Sequence, residues 1–133
     1  MLSQGLIPSE QEIWKLIQGY FGGNMQIVPY IQEIFLLECH IAGTSHLDLD
    51  EVEPELNAGD ALLFRREPDN VHDPLAIAIY DRKERKLGYL PRAKNEIPAR
   101  LMDAGKLLFG KLEAKEWVGK WLKLTIRVFM KDM

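Results

Sequence analysis

The sequence predicts a mainly β fold with two helices, in which the strands close into a small barrel. Short runs of alternating apolar and polar residues recur along the chain, turn residues separate them, and two segments carry helix signals. A chain of 133 residues is long enough to bury one hydrophobic core. Barrels of the OB-like type are built from short strands of this kind. We therefore expect a small OB-like closed β-barrel preceded by an N-terminal helix.

The first predicted element is this N-terminal helix. Ser9 and Glu12 have the spacing of a capping box, and a pair of glycines ends the segment. The apolar residues between them recur at helical spacing and are Ile13, Leu16, Ile17 and Tyr20. This stripe favours packing against the barrel, and a helix that binds a partner is the alternative. Residues 1–34 are assigned to the helix and its connector, and residues 35–133 to the barrel domain.

The first predicted strand spans residues 35–41 and leads into an acidic loop. Its alternation would point four side chains inward, namely Phe35, Leu37, Cys39 and Ile41. Gly43 then permits a sharp bend. Residues 47–58 hold five acids and no base, but they lack the glycine and ligand spacing of an EF-hand loop. We interpret them as a solvated loop or a short helical turn rather than a metal site.

A rigid loop is predicted between the next two strands, at residues 61–64 and 75–80. Pro68 cannot donate a hydrogen bond to a neighbouring strand, so pairing should stop there. An aspartate and an asparagine follow, and both favour turns because their side chains bond nearby backbone groups. The loop is therefore expected to hold His72 and Asp73 at the end of the sheet.

The C-terminal half continues the pattern of short elements. The polar hairpin turn and the three remaining strands are predicted at residues 81–86, 87–90, 107–116 and 120–130. Asn95 is expected to cap a helix over residues 96–103, and Gly105 should end it.

The net charge of −3 conceals an uneven distribution along the chain. Residues 1–81 carry 3 basic and 14 acidic side chains, and residues 82–133 carry 14 and 6, so the halves have net charges of −11 and +8. This split could produce a basic face that meets an anion, or the halves could interleave and mix their charges. The acidic total argues against tight, non-specific binding to duplexes, which needs many phosphate contacts.

Several function classes lack the residues that they need. The chain has no phosphate-binding glycine loop, its three histidines and Cys39 have no recognisable zinc spacing, and its serines do not assemble a catalytic triad. A single cysteine excludes an internal disulfide, and neither a secretory signal nor a membrane-length apolar run is visible. We expect a cytoplasmic protein without enzymatic activity, cofactor, metal or membrane partner.

One stretch resembles a family signature, and it reads Arg66-Glu67-Pro68-x-Asn70-x-x-Asp73-x-x-Ala76-Ile77. It is similar to the core signature of the HIRAN domain. Residues 41–46 resemble the first strand and glycine bend of that domain, and residues 87–92 resemble its next strand. The resemblance runs in order from about residue 35 to about residue 126. It implies a modified OB-like barrel that binds the 3′-hydroxyl end of single-stranded DNA between two aromatic rings.

The resemblance also implies roles for three polar residues. Asp73 matches the aspartate that receives the terminal hydroxyl in the family. A carboxylate accepts hydrogen bonds from hydroxyls and would repel a terminal phosphate. Tyr89 and Arg92 match positions that contact DNA phosphate, and a guanidinium suits that contact.

Three further residues of the implied site depart from the family pattern. His46 and His72 occupy the places of the two stacking rings, where tyrosine is common, and imidazole offers less stacking area. Ser45 occupies a place where an arginine assists binding. Unlike tyrosine, histidine titrates near neutral pH, so DNA binding should tighten as the pH falls. These departures predict weaker DNA binding or a different ligand.

Two functions follow from this reading. The first is a module that recognises 3′-hydroxyl ends of single-stranded DNA in repair or processing, together with a separately encoded DNA-processing enzyme. The alternative is a protein–protein interaction module that retains the barrel without binding DNA ends. Positive potential around the site would favour the first function, and a large exposed apolar patch on the N-terminal helix would favour the second.

Overall fold

The structure is a computed structural model that describes residues 32–132, in which Ile34–Met130 form one compact unit. Six antiparallel strands form an open half-barrel in the order β1-β6-β5-β2-β3-β4. The strands are β1 (Gln32–His40), β2 (Ala61–Arg66), β3 (Ile77–Tyr80), β4 (Lys86–Tyr89), β5 (Leu107–Val118) and β6 (Trp121–Asp132). One α-helix, α1 (Glu96–Asp103), lies between β4 and β5. Short 3-10 turns occur at Thr44–His46, Glu53–Glu55 and Arg92–Lys94.

The core is built from the inward faces of these strands. Alternation in the two long strands β5 and β6 supplies six buried side chains, namely Leu108, Leu112, Leu122, Leu124, Ile126 and Val128. In β3, Ile77, Ala78 and Ile79 are all fully buried. Each large apolar side chain buried in this way contributes about 1.5–3 kcal/mol to folding. The sheet therefore forms a stable support for the loops at its ends.

The predicted closed barrel is wrong, because the two edges of the sheet meet at a single residue pair. Ala42, just after β1, and Tyr89 of β4 exchange backbone hydrogen bonds of 2.8 and 2.9 Å. Gly88 permits this approach, since a Cβ at this residue would lie 2.3 Å from the Ala42 carbonyl oxygen. Gly43, with φ +80°, then turns the chain away. No ladder can continue beyond the pair, and the barrel stays open.

The inward alternation predicted for β1 is only partly correct. Cys39 and Ile41 are buried and Leu37 packs against the core, but Phe35 is 52% exposed and its ring contacts Phe129. The residue before Leu37 packs against the core as well. The alternation therefore shifts by one residue within the strand.

The helix predicted at residues 96–103 is confirmed as α1. The predicted N-terminal helix falls on residues outside the described part of the chain. None of the helices that the structure describes has the length and apolar composition needed to cross a bilayer.

The acidic loop is anchored to the basic half of the chain. Three apolar side chains of the loop, Leu49, Val52 and Leu56, are buried, and the short helical turn forms at Glu53–Glu55. Glu53 pairs with Lys115, and Glu55 pairs with Lys83 and Arg85. Since these ion pairs join the acidic half to the basic half, the two halves interleave and their charges mix.

Candidate nucleic-acid interface

A cleft of about 370 Å³ opens where the bend after β1, the β2–β3 loop and the end of β4 meet. That volume is within the usual range for small-ligand sites, about 300–1,000 Å³. Five of the six predicted site residues line it, namely His46, His72, Asp73, Tyr89 and Arg92. Ala42, Gly43, Ala76 and Leu90 add apolar surface to the same cleft. The fold thus brings together residues from three separate segments of the sequence.

The side chain of Asn70 shapes the β2–β3 loop. Its Oδ1 accepts backbone N–H bonds from His72 at 2.9 Å and from Asp73 at 3.1 Å. Its Nδ2 donates to Glu67 Oε1 at 3.0 Å. The predicted turn chemistry is therefore confirmed at Asn70, whose side chain holds the backbone of two residues that line the cleft. Asp69 makes no such bond in the part of the chain that the structure describes.

The backbone around Asp73 also explains why β3 begins later than predicted. The Leu75 N–H donates to Asp73 Oδ1 at 2.9 Å, and the Ala76 N–H donates to the Asp73 carbonyl at 3.0 Å. Because these donors are used within the loop, they are not available to a neighbouring strand. The strand predicted from residue 75 therefore begins at Ile77.

The Asp73 carboxylate is fixed but only partly enclosed. Its side chain is 15% exposed, with Asn95 Nδ2 at 2.7 Å and Arg92 Nε at 3.7 Å from Oδ2. The hydrogen bond from the Leu75 N–H lowers the pKa of Asp73; burial opposes this, and Asn95 and Arg92 lower the pKa further. Asp73 is therefore ionised near neutral pH and retains acceptor capacity towards the cleft.

Asn95 is a site residue that the sequence did not reveal. It was expected to cap α1, but its side chain makes no capping bond and donates to Asp73 instead. It is only 2% exposed, so this bond accounts for a buried amide. Its partner lies 22 residues away, which explains why a local cap signal misled the prediction.

Tyr89 lines the cleft with its hydroxyl already bonded inside the domain. The hydroxyl donates to Glu67 Oε1 at 2.8 Å, and Lys86 Nζ lies 4.2 Å from the centre of the ring. Burial by itself would raise the pKa of Glu67, but bonds from Asn70 and Tyr89 and the charge of Lys86 lower it below its ordinary value. Lys86, which was not predicted as a site residue, therefore brings a cation next to the cleft.

The two histidines and Arg92 are exposed polar residues of the cleft lining. Gly43 lies against the His46 ring, since a Cβ on the glycine would be 3.9 Å from Cδ2 of the imidazole. Arg92 Nη2 donates to the His72 carbonyl at 2.6 Å, while the Arg92 side chain is 75% exposed. Both imidazole rings and one guanidinium thus remain accessible to a ligand.

Ser45 is the one predicted residue that does not line this cleft. It belongs to the same 3-10 turn as His46 but borders a neighbouring hollow with Trp117 and Lys120. In the described residues, no group of three or more His, Cys, Asp or Glu side chains could hold a metal ion. The cleft therefore offers ring faces, one carboxylate and one guanidinium as its chemistry.

Two solved structures resemble this domain. A protein from Lactobacillus plantarum superposes with a TM-score of 0.72 and 26% identity, over 78% of this chain and 100% of that chain. The HIRAN domain of human HLTF superposes with a TM-score of 0.60 and 16% identity, over 75% of this chain and 79% of that chain. At that identity the second likeness concerns the fold, which is OB-like.

Two comparisons of the sequence with known proteins and families complement the structural ones. No curated protein matches the chain. The family model of the HIRAN domain, however, matches residues 34–131, which include the whole compact unit and every residue of the cleft. The chain therefore belongs to the HIRAN domain family.

Proposed function

We propose that this domain binds the 3′-hydroxyl end of single-stranded DNA in the cleft and has no catalytic activity of its own. The observation that carries the proposal is a partly open, ionised Asp73 in a cleft that two accessible imidazole rings also line. We further propose that the domain serves DNA repair or processing in the cytoplasm, with a separately encoded enzyme. The buried Cys39, without a partner cysteine, agrees with a reducing compartment.

The carboxylate is suited to a hydroxyl and unsuited to a phosphate. Asp73 has about four acceptor positions, and two of them take bonds from Leu75 and Asn95. A terminal hydroxyl can donate to a remaining position. A terminal phosphate would bring two negative groups to hydrogen-bonding distance, and their repulsion would oppose binding.

The other lining residues supply contacts that depend little on base identity. His46 and His72 offer ring faces on which a base can stack. Arg92 uses one nitrogen on the His72 carbonyl and has further N–H donors for a phosphate oxygen. This combination of stacking and charge is typical of sites that bind single strands without strong base preference.

The test is an anisotropy titration with three versions of one labelled single-stranded oligonucleotide. The first carries free hydroxyls, the second a 3′-phosphate, and the third a 5′-phosphate as the control for added charge. We expect the 3′-phosphate to weaken binding about tenfold or more and the 5′-phosphate to change it little. Equal affinity for the 3′-hydroxyl and 3′-phosphate oligonucleotides would contradict the proposal.

The alternative function, protein–protein interaction, is favoured by one observation elsewhere on the domain. Large apolar side chains are exposed around the β5–β6 turn, including Trp117 and Trp121. Such a cluster is a common mark of a protein contact. Because it lies outside the cleft lining, a DNA-binding cleft and a protein-binding surface are compatible on the same domain.

A further inference from the structure

The end of the domain around the β5–β6 turn carries a group of exposed apolar side chains. Nine large apolar side chains are exposed in the described residues, and four of them belong here, namely Leu47, Trp117, Val118 and Trp121. Leu47 and Trp117 border a hollow of about 140 Å³, and Val118 and Trp121 flank the adjoining turn. Clustering of this kind is characteristic of a docking surface. We name these four residues and the hollow the apolar tip.

The ring of Trp117 is held in place. Its Nε1 donates to Glu53 Oε1 at 3.1 Å, and Lys115 Nζ pairs with Glu53 Oε2 at 2.6 Å. The hydrogen bonds from Lys115 and Trp117 lower the pKa of Glu53. An exposed aromatic ring with a fixed orientation loses little freedom when it binds, so it is a good anchor.

The charges beside the hollow are mainly negative. Asp48 and Asp50 border it and are exposed, and neither forms an ion pair within residues 32–132. Asp48 Oδ1 only accepts the N–H of Asp50, at 3.3 Å. The one cation that borders the hollow is Lys120. Two carboxylates against one ammonium disfavour a phosphate backbone and favour a ligand that carries positive charge.

A second copy of the chain fits this surface poorly. A symmetric dimer uses the same patch on both subunits, so it would gather four carboxylates, Asp48 and Asp50 of each copy, in one interface with only two Lys120 ammonium groups. A segment of another protein avoids this repulsion if it is basic. Its cations can pair with the carboxylates and lie over the Trp117 ring, while an apolar side chain enters the hollow.

We propose that the apolar tip binds a basic peptide segment of a partner protein, in which Lys or Arg flanks an apolar or aromatic anchor. This surface borders the cleft, because Ser45 lines the hollow and the next residue, His46, lines the cleft. A partner bound here would therefore lie next to whatever occupies the cleft. The proposal does not depend on DNA binding.

The test is selection of a random twelve-residue peptide library on the 133-residue chain, with counter-selection on the Trp117→Ala variant. The strongest peptide is then titrated by anisotropy. We expect enriched sequences that combine Lys or Arg with Trp, Phe or Leu. We expect the affinity of that peptide to fall about tenfold in Trp117→Ala and in the double variant Asp48→Lys, Asp50→Lys.

Two controls separate docking from loss of fold. Ile97→Ala removes an apolar side chain from α1 that is more exposed than Trp117, at 66% against 42%, and should leave peptide affinity unchanged. The charge-reversal variant alters only exposed loop residues and should retain the melting temperature. The proposal would be overturned if no peptide is enriched or if the enriched peptides lack basic residues. It would also be overturned if charge reversal leaves the affinity of the peptide unchanged. A last outcome is that Trp117→Ala weakens oligonucleotide binding that Asp73→Ala leaves unchanged. That result would assign the apolar tip to nucleic acid and would overturn the proposal as well.

Discussion

Asp73 and Asp81 lie on either side of β3. Their side chains make similar local hydrogen bonds but have different roles. Each Oδ1 accepts the N–H of the residue two positions on, at 2.9 Å in both cases, and each carboxylate faces an arginine. Asp81 is 4% exposed, and Arg85 contacts its Oδ2 with Nε at 2.8 Å and Nη2 at 2.7 Å. At Asp73 the arginine is Arg92, whose Nε is 3.7 Å away.

The difference arises from where each guanidinium is bonded. Arg85 is part of the same turn as Asp81, and its own N–H also donates to that carboxylate. Arg92 follows another strand, and its short hydrogen bond goes to the His72 carbonyl instead. The carboxylate of Asp81 is therefore saturated and structural, whereas that of Asp73 retains capacity for a ligand. The two aspartates therefore differ in role because their carboxylates differ in burial and in the number of acceptor positions that are already used.

The largest expected effect is on stability, at Asp81. Asp81→Ala removes the acceptor of two backbone N–H groups and leaves the Arg85 guanidinium only its longer contact with Glu55, so the free energy of unfolding should fall by about 3 kcal/mol. Urea unfolding measures this loss. Asp69→Ala, an exposed aspartate in the β2–β3 loop, is the matched control and should change it by less than about 0.5 kcal/mol. An equal loss in both variants would contradict the comparison.

The next effect is on binding, at Asp73. Asp73→Ala removes the acceptor for the terminal hydroxyl, which should cost about 2 kcal/mol, or about thirtyfold in affinity for a 3′-hydroxyl oligonucleotide. The same variant should no longer discriminate against a 3′-phosphate. Anisotropy titrations of both oligonucleotides measure the two quantities. A variant that keeps full affinity and discrimination would remove Asp73 from the site.

Asp73 should also contribute to the free energy of unfolding, and this contribution should be lost at low pH. Since folding lowers the pKa of Asp73, its contribution is present above the unfolded pKa of about 3.9 and is lost as the pH falls through the lower folded value. The difference in unfolding free energy between the natural chain and Asp73→Asn should therefore shrink below about pH 4. Urea unfolding at a series of pH values measures it. A difference that stays constant down to about pH 2 would contradict the lowered pKa.

Arg92 should contribute to binding and little to stability. Its side chain is mostly exposed, so Arg92→Ala should change the unfolding free energy by less than about 0.5 kcal/mol. Removing one phosphate contact should reduce the slope of log affinity against log salt by about 1. Arg100→Ala on α1, with a similarly exposed arginine, is the control for both measurements. Unfolding of Arg92→Ala would instead make this arginine structural.

The smallest effect concerns the two cleft histidines. Phosphates of a bound strand favour protonated imidazole, so affinity for single-stranded DNA should be a few-fold tighter near about pH 6 than near about pH 8. The double variant His46→Tyr, His72→Tyr should bind with a weaker pH dependence, because tyrosine does not titrate in this range. Titrations of both proteins at fixed ionic strength measure this. A flat profile for the natural chain would mean that these rings do not lie beside phosphate.

Much of the local structure was readable from the sequence. The limits of α1, the turn at Asn70 and the end of β2 near Pro68 depend on periodicity, on side chains that bond nearby backbone, and on a missing donor. The family signature also identified the loop that holds Asp73. These features are encoded within a few residues of the chain, so they do not depend on which segments later meet.

The tertiary structure alone decided the contacts between distant segments. Gly88 lets Tyr89 approach Ala42, but Gly43 then turns the chain away, so the two edges meet at one pair and the sheet stays open. Asn95 binds Asp73 instead of capping its own helix. The ion pairs between the acidic and basic halves also depend on the tertiary structure, because the positions of the strands determine which charged side chains meet. Sequence patterns specify the period of an element and its turns, but the partner of a polar side chain depends on where other elements bring their donors and acceptors.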